Sequence, residues 1–140
     1  MKAIGPTELI ELLPASTEDI STLEARLTLA APTSFRRQDR IREAIAVGWT
    51  TPETISINGV VAYVVCWNKT FDGGLWINVA QAITGKGDHS ALFLGCEMIA
   101  HREHCDYVRF STSRRGLVRR AQLKGYVPDA VLMTKELRHG

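Results

Sequence analysis

The spacing of apolar residues changes along this 140-residue chain and divides it into predicted helices and strands. The short apolar run Leu9 to Leu13 predicts a first strand. Two stretches with apolar residues at helical spacing follow it, and each lies between a capping residue and a helix-ending residue. These helices are predicted from Ser16 or Thr17 to Pro32, and from Ser34 to Gly48.

The pattern changes to strand-like runs in the middle of the chain. Three strands are predicted, over Thr54 to Ile57, Val60 to Trp67 and Leu75 to Ala80. Asn58-Gly59 lies between the first two and is a strong signal for a two-residue hairpin. Asp72-Gly73-Gly74 predicts another turn before the third. We therefore expect these three strands to be antiparallel neighbours.

Helical and extended patterns then alternate. A helix from about His89 to His104 precedes a strand, Tyr107 to Ser111, and a basic helix runs from Ser113 to Lys124 before Gly125. The last strand signals are Tyr126-Val127 and Ala130 to Leu137. This order predicts an α+β fold in which about four helices flank a mixed, mostly antiparallel sheet of six to seven strands. One domain is expected over residues 1–140.

Composition narrows the class of protein. The apolar content of 45% suits one domain with a sizeable core. No apolar run approaches the roughly 20 residues that cross a bilayer, and no basic segment with an apolar secretion core opens the chain, so a cytoplasmic, membrane-free protein is the default expectation. Cys66, Cys96 and Cys105 form no close pair and are interpreted as free thiols. His101, His104 and Cys105 match no common metal spacing, and no metal is expected.

Charge is distributed unevenly. Residues 1–100 carry a net charge of −3 and residues 101–140 carry +5. The basic excess is concentrated in one segment and comprises Arg114, Arg115, Arg119, Arg120 and Lys124. Such a cluster attracts an anionic cofactor or nucleic acid, or it is the solvated face of a helix. Nucleic-acid binding is the weaker option, because only Tyr126 supplies an aromatic ring nearby.

A glycine-rich segment lies between a predicted strand and a predicted helix and reads Thr84-Gly85-Lys86-Gly87-Asp88-His89. The first N–H groups of a helix have no intrahelical partner, and the helix dipole places partial positive charge there. A phosphate group can be held at such a turn. The alternative is that Gly85 and Gly87 only allow a tight turn.

With these elements in order, the chain resembles the GNAT family, the Gcn5-related N-acetyltransferases, over almost its whole length. Leu12 to Asp19 is similar to the family's first strand and first helix start, and Lys124-Gly125-Tyr126 is similar to the end of its fourth helix. The central signature is Arg or Gln, two residues, Gly, one residue, then Gly or Ala. Gly87 matches the first glycine, whereas Thr84 and His89 depart from the pattern.

The resemblance implies acetyl-coenzyme A as the donor substrate. His89 would replace the missing Arg at the pyrophosphate with help from Lys86 and Ser90, or block the phosphate, or only pack at the helix start. Val79 and Gln81 would offer main-chain groups to the pantetheine arm along a splayed fourth strand. The cofactor-binding candidates are Val79, Gln81, Thr84, Gly85, Lys86, Gly87, Asp88, His89, Ser90 and Arg114.

The resemblance implies no clear acid or base. Counting back from Gly125 places Ala121 where the family often has a Tyr that acts as the general acid. The same count places Arg114 where the family often has Asn. Asp72 is a weak candidate for the base, and its alternative role is an ordinary turn. Tyr63 and Tyr107 lie on strand patterns where a core aromatic residue is the more common explanation.

Two functions follow from this reading. The first is an acyl-CoA-dependent N-acyltransferase acting on an unidentified primary amine. The second is a GNAT-like domain without catalysis that binds a protein partner, motivated by Thr84, His89, Arg114 and Ala121. The acceptor is not encoded in any recognisable motif, and a homodimer stays open.

Overall fold

The computed structural model describes residues 9–30, 38–83, 89–112 and 114–129, together with residues 133, 135 and 137. The chain divides into two compact units, residues 1–110 and 111–140. The described residues of the first unit form five strands and three helices. They are β1 (Ile10–Pro14), α1 (Thr17–Ala30), α2 (Gln38–Ala46), β2 (Thr51–Ile57), β3 (Val60–Lys69), β4 (Gly74–Ala82), α3 (His89–Arg102) and β5 (Tyr107–Phe110).

The five strands form one sheet in chain order, β1-β2-β3-β4-β5. The first three pairings are antiparallel, as expected for the central strands, and β4 pairs with β5 in parallel. The sheet is therefore mixed. The described residues contain five strands, not six to seven. Tyr126 and Val127 are described and lie outside any strand, and the predicted strand Ala130 to Leu137 falls mostly outside the described residues.

Local signals begin and end these elements. The Ser16 hydroxyl accepts the Asp19 N–H at 3.1 Å, and the Asp19 carboxylate accepts the Ser16 N–H at 2.8 Å. This reciprocal capping box gives hydrogen-bond partners to N–H groups at the start of α1 that have no intrahelical acceptor. Asn58 and Gly59 take φ values of 50° and 84° in the turn between β2 and β3, as a tight hairpin requires.

Helices cover both faces of the sheet. On one face α3 packs over a core that includes Ile55, Leu75 and Ile99, called here the α3-side core. On the other face Leu23 of α1 and Ile41 of α2 pack over β3 in the α1-side core. Alternate β3 side chains pack in the two cores, because successive side chains of a strand point to opposite faces of the sheet.

Two contacts hold α3 close to the sheet. Gly95 faces Ile55 so closely that a Cβ on Gly95 would lie 2.5 Å from the Ile55 Cδ1 atom. Near the helix end, Arg102 donates two hydrogen bonds of 2.7 Å to the buried carboxylate of Glu53, which also accepts the Trp67 Nε1–H at 2.8 Å. The hydrogen bond to Glu53 is the main cause that raises the pKa of Arg102. The positive charge of Arg102 therefore compensates the negative charge of the buried Glu53 carboxylate.

The second unit contains α4 (Arg115–Leu123). Gly125 takes a φ of 92° after it, the Tyr126 N–H bonds the Ala121 carbonyl, and the Gly125 N–H bonds the Gln122 carbonyl. These bonds form a Schellman motif, so Gly125 ends the helix as predicted. In the part of the chain that the structure describes, every helix is too short or too polar to cross a bilayer.

Candidate functional site

Strand β4 contains a β-bulge at Asn78. Cys66 of β3 stands opposite Val79, and the next β3 residue, Trp67, stands opposite Ile77, so Asn78 is the extra residue. The bulge reverses which side chains face which core. Ile77 belongs to the α3-side core, whereas Val79 packs against the α1-side core. A bulge of this kind bends a strand and increases its twist locally.

Beyond the bulge, β4 separates from β5. The parallel ladder covers Gly74 to Ile77 and ends where Ile77 meets Phe110. Within the described residues no strand pairs with Asn78–Ala82 on the side away from β3. This segment is called here the open edge of β4. Its side chains are half-buried or exposed, although β4 is an interior strand.

The ladder to β3 decides which main-chain groups face the open edge. Ile83 donates its N–H to the Ala62 carbonyl at 2.8 Å. Bonded and non-bonded pairs alternate along an antiparallel ladder, so Gln81 and Val79 also direct their main-chain groups toward β3. Ala80 and Ala82 therefore direct theirs toward the open edge. The Ala82 carbonyl also accepts a hydrogen bond of 3.2 Å from Gln81 Nε2.

The family resemblance implied main-chain contacts from Val79 and Gln81. In the structure the main-chain groups of those two residues point toward β3, and those of Ala80 and Ala82 face the open edge. The facing of Ala80 and Ala82 was not predicted, because the position of a bulge is not encoded in an alternating pattern. Asn78 was the available signal, since a polar residue interrupts the apolar run between Ile77 and Val79.

Helix α3 begins after the end of β4. His89 is half-buried at its first position, and Ser90 is buried. The first turn of α3 carries no acidic residue, so no side chain there opposes an anion at this helix start. Thr84, Gly85, Lys86, Gly87 and Asp88 lie outside the described residues, and the glycine-rich segment remains a prediction from sequence.

Asp72 lies at the other end of β4. It accepts a hydrogen bond of 2.6 Å from the Thr70 hydroxyl and another from the Tyr107 hydroxyl. These bonds, led by that from Thr70, lower the pKa of the exposed Asp72 carboxyl. At about 3.3 Å per residue, Asp72 lies roughly 25 Å along the strand from Ala80. The arrangement agrees with the turn role that the sequence left open.

Tyr63, Cys66 and Cys96 are buried core residues. Tyr63 is 3% exposed in the α3-side core. The ring of Tyr107 lies over Gly74, where any side chain would collide with it. Burial raises the pKa of the Cys66 and Cys96 thiols to about 12, so neither is a thiolate at neutral pH. Among the described residues, no three His, Cys, Asp or Glu side chains gather into a metal-binding group.

The basic segment lies in the second unit. Arg114 precedes α4 as an exposed N-cap residue without a side-chain capping bond, and Arg115, Arg119 and Arg120 are also exposed. Ala121 is 3% exposed and has no group that can transfer a proton. Helix α4 therefore exposes positive charge to solvent, whereas its Ala121 is buried.

No protein-family model matches the chain, and no curated protein matches it in sequence. Solved structures do match it. A GNAT family acetyltransferase from Staphylococcus aureus is 13% identical, with 91% of this chain and 98% of that chain covered and a TM-score of 0.58. A ribosomal-protein-alanine N-acetyltransferase from Brucella melitensis is 15% identical over 96% and 100% of the two chains, with a TM-score of 0.58.

A third match was solved with a coenzyme A derivative. AAC(6')-Iy, in complex with the bisubstrate analogue CoA-S-monomethyl-acetylneamine, is 8% identical over 94% of this chain and 99% of that chain, with a TM-score of 0.61. At these identities the likeness establishes the fold. The chain has the α+β fold of GNAT acetyltransferases, which confirms the resemblance read from the sequence.

Proposed function

We propose that this protein is an acyl-CoA-dependent N-acyltransferase that transfers the acetyl group of acetyl-CoA to a primary amine. The observation that carries the proposal is the open edge of β4. An interior strand that separates from its neighbour exposes main-chain donors and acceptors that a sheet would otherwise satisfy. A ligand with amide groups can take the place of the missing strand.

The pantetheine arm of acetyl-CoA carries such amides. In the proposal, Ala80 and Ala82 bind them through the main chain, so small side chains there leave room for the arm. The pyrophosphate is assigned to the helix start at His89 and Ser90 together with the preceding glycine-rich segment, where the dipole of α3 favours an anion. Gly85, Lys86 and Gly87 stay in the site as candidates from sequence.

The proposed reaction is a simple acyl transfer. The amine nitrogen forms a bond to the thioester carbonyl carbon, the carbon–sulfur bond breaks, and the sulfur gains a proton while the nitrogen loses one. Main-chain N–H groups aimed at the carbonyl oxygen would stabilise the charge that develops on it. Asp72 is not assigned the base role here, because it lies at the far end of β4 and is engaged by Thr70 and Tyr107.

Calorimetric titration with acetyl-CoA tests the proposal. Ala80→Pro removes the N–H that faces the open edge without removing a donor to β3, and Ala80→Gly keeps that N–H as the matched control. We expect wild type and Ala80→Gly to bind, and Ala80→Pro to bind at least about fivefold more weakly, as the loss of one hydrogen bond implies. Melting temperatures monitor folding. Absence of wild-type binding at millimolar acetyl-CoA would refute the proposal.

The second candidate function is a domain of this fold that binds a protein partner and does not catalyse. The buried Ala121 favours it, because the expected proton donor is missing at that position. The double variant Arg119→Glu with Arg120→Glu should then abolish the partner contact through α4. Partner assembly that survives this charge reversal would exclude the basic helix as the contact.

A further inference from the structure

The extra residue of the β4 bulge is held by side chains from two other segments. The Thr50 hydroxyl oxygen lies 2.6 Å from Asn78 Oδ1 and 3.1 Å from the Trp67 carbonyl oxygen. On the other side, Asn78 Nδ2 donates to Asn68 Oδ1 at 2.9 Å. The amide of Asn78 is thus used at both ends, although the residue itself is exposed.

The Thr50 side chain is itself held in one position and can therefore restrain Asn78. It is only 5% exposed, and its position is set by the end of α2. Gly48 takes a φ of 80°, the Trp49 N–H bonds the Ala44 carbonyl at 2.9 Å, and the Gly48 N–H bonds the Ile45 carbonyl at 3.1 Å. This is a Schellman motif that ends α2 and delivers the chain to β2 in one defined direction.

We infer that Thr50, with Asn68, holds the bulge at Asn78 and so keeps the open edge of β4 preformed for its ligand. Thr50 and Asn68 are positioning residues that act through Asn78. The identity of that ligand as acetyl-CoA rests on the proposed function. A bulge adds an unpaired residue to a strand, and without side-chain restraint the ladder to β3 can shift by one residue.

A shift of one residue would have a defined consequence. The main-chain groups of Ala80 and Ala82 would turn toward β3, and those of Val79 and Gln81 would turn toward the open edge. The side chains would also exchange faces. A mobile bulge therefore lowers the fraction of molecules whose open edge is ready to bind, and the apparent affinity falls by that fraction.

Thr50→Val tests the restraint because valine keeps the shape of threonine and lacks the hydroxyl. Thr50→Ser keeps the hydroxyl and is the matched control. We expect Thr50→Val to raise the acetyl-CoA dissociation constant about fivefold, the equivalent of one hydrogen bond, and Thr50→Ser to leave it within about twofold. Without ligand, amide hydrogen exchange at Val79 and Gln81 should be faster in Thr50→Val and unchanged at Leu75.

The two measurements separate the inference from the proposed function. Unchanged exchange at Val79 and Gln81 overturns the inference even if acetyl-CoA binds. Faster exchange with an unchanged dissociation constant also overturns it, since the contact would then be merely structural. If wild type does not bind acetyl-CoA, the proposed function fails, and the exchange measurement alone decides whether the bulge is held by Thr50. Should Thr50→Val not fold, Asn68→Ala, with Asn68→Asp retaining the acceptor, repeats both measurements.

Discussion

Helix α3 approaches the sheet closely at Gly95, and Gly95→Ala should destabilise the protein although it favours a helix. The added Cβ would lie 2.5, 2.8 and 2.9 Å from three atoms of Ile55, which is fully buried. Carbon atoms in good contact lie about 3.5–4.0 Å apart, so α3 must move by roughly 1 Å or Ile55 must leave its rotamer.

The expected magnitude follows from two opposing effects. Overpacking at three atoms of a buried side chain costs about 3 kcal/mol, the upper part of the usual range. Replacing Gly by Ala in a helix gains about 1 kcal/mol. The free energy of unfolding should therefore fall by about 2 kcal/mol in Gly95→Ala. In an Ile55→Ala background the three atoms are absent, so Gly95→Ala should raise the free energy of unfolding by about 1 kcal/mol.

Urea denaturation followed by far-UV circular dichroism measures all four members of this cycle. The predicted coupling between residues 55 and 95 is about 3 kcal/mol. Gly116→Ala is the control, because a Cβ on this α4 glycine meets no atom within 4 Å, and a slight gain in stability is expected. Additive effects of Gly95→Ala and Ile55→Ala would refute the close approach of α3 to β2.

Three further outcomes are expected. Ser16→Ala removes the α1 capping hydroxyl and should lower the free energy of unfolding in urea by about 1 kcal/mol, whereas no change would show that the capping box is dispensable. Because burial raises the pKa of the Cys66 and Cys96 thiols from the ordinary 9.0 to about 12, iodoacetamide should not label either in native protein at pH 8. Their contribution to stability is complete below pH 9 and is lost as the pH rises toward 12, since the unfolded thiols ionise first; flat stability across that window in urea titrations would contradict this. Tyr107→Phe removes one of the hydrogen bonds that lower the Asp72 pKa, so this pKa should rise in an NMR titration, and the stabilisation from Asp72, present at neutral pH, should be lost from a higher pH as acid is added.

Signals that act within a few residues were sufficient to predict most elements. The N-cap expected at Ser16 or Thr17, the Asn58-Gly59 hairpin and the Gly125 helix end each depend on side-chain or φ preferences of adjacent residues. The structure confirms all three. The strands from β2 to β4 also pair as expected, because short turns leave antiparallel pairing as the simplest outcome.

The candidate site was harder to predict for a physical reason. A strand pattern indicates which residues alternate but not where an extra residue enters the ladder, and the bulge at Asn78 changes the facing of every residue after it. The family resemblance implied Val79 and Gln81, whereas in the structure the main-chain groups of Ala80 and Ala82 face the open edge. Asp72 was ambiguous because a carboxylate before two glycines suits a turn as well as a base.

The sequence by itself determined the order of helices and strands through residue 123, the α+β class and the likeness to GNAT proteins, because periodicity, caps and turn residues act locally. Only the tertiary structure decided at which residue β4 separates from β5, that Thr50 and Asn68 meet at Asn78, and that Gly95 lies against Ile55. These features depend on contacts between residues distant in the chain. Their geometry is set when two sheet faces and three helices pack together, and no local pattern encodes it.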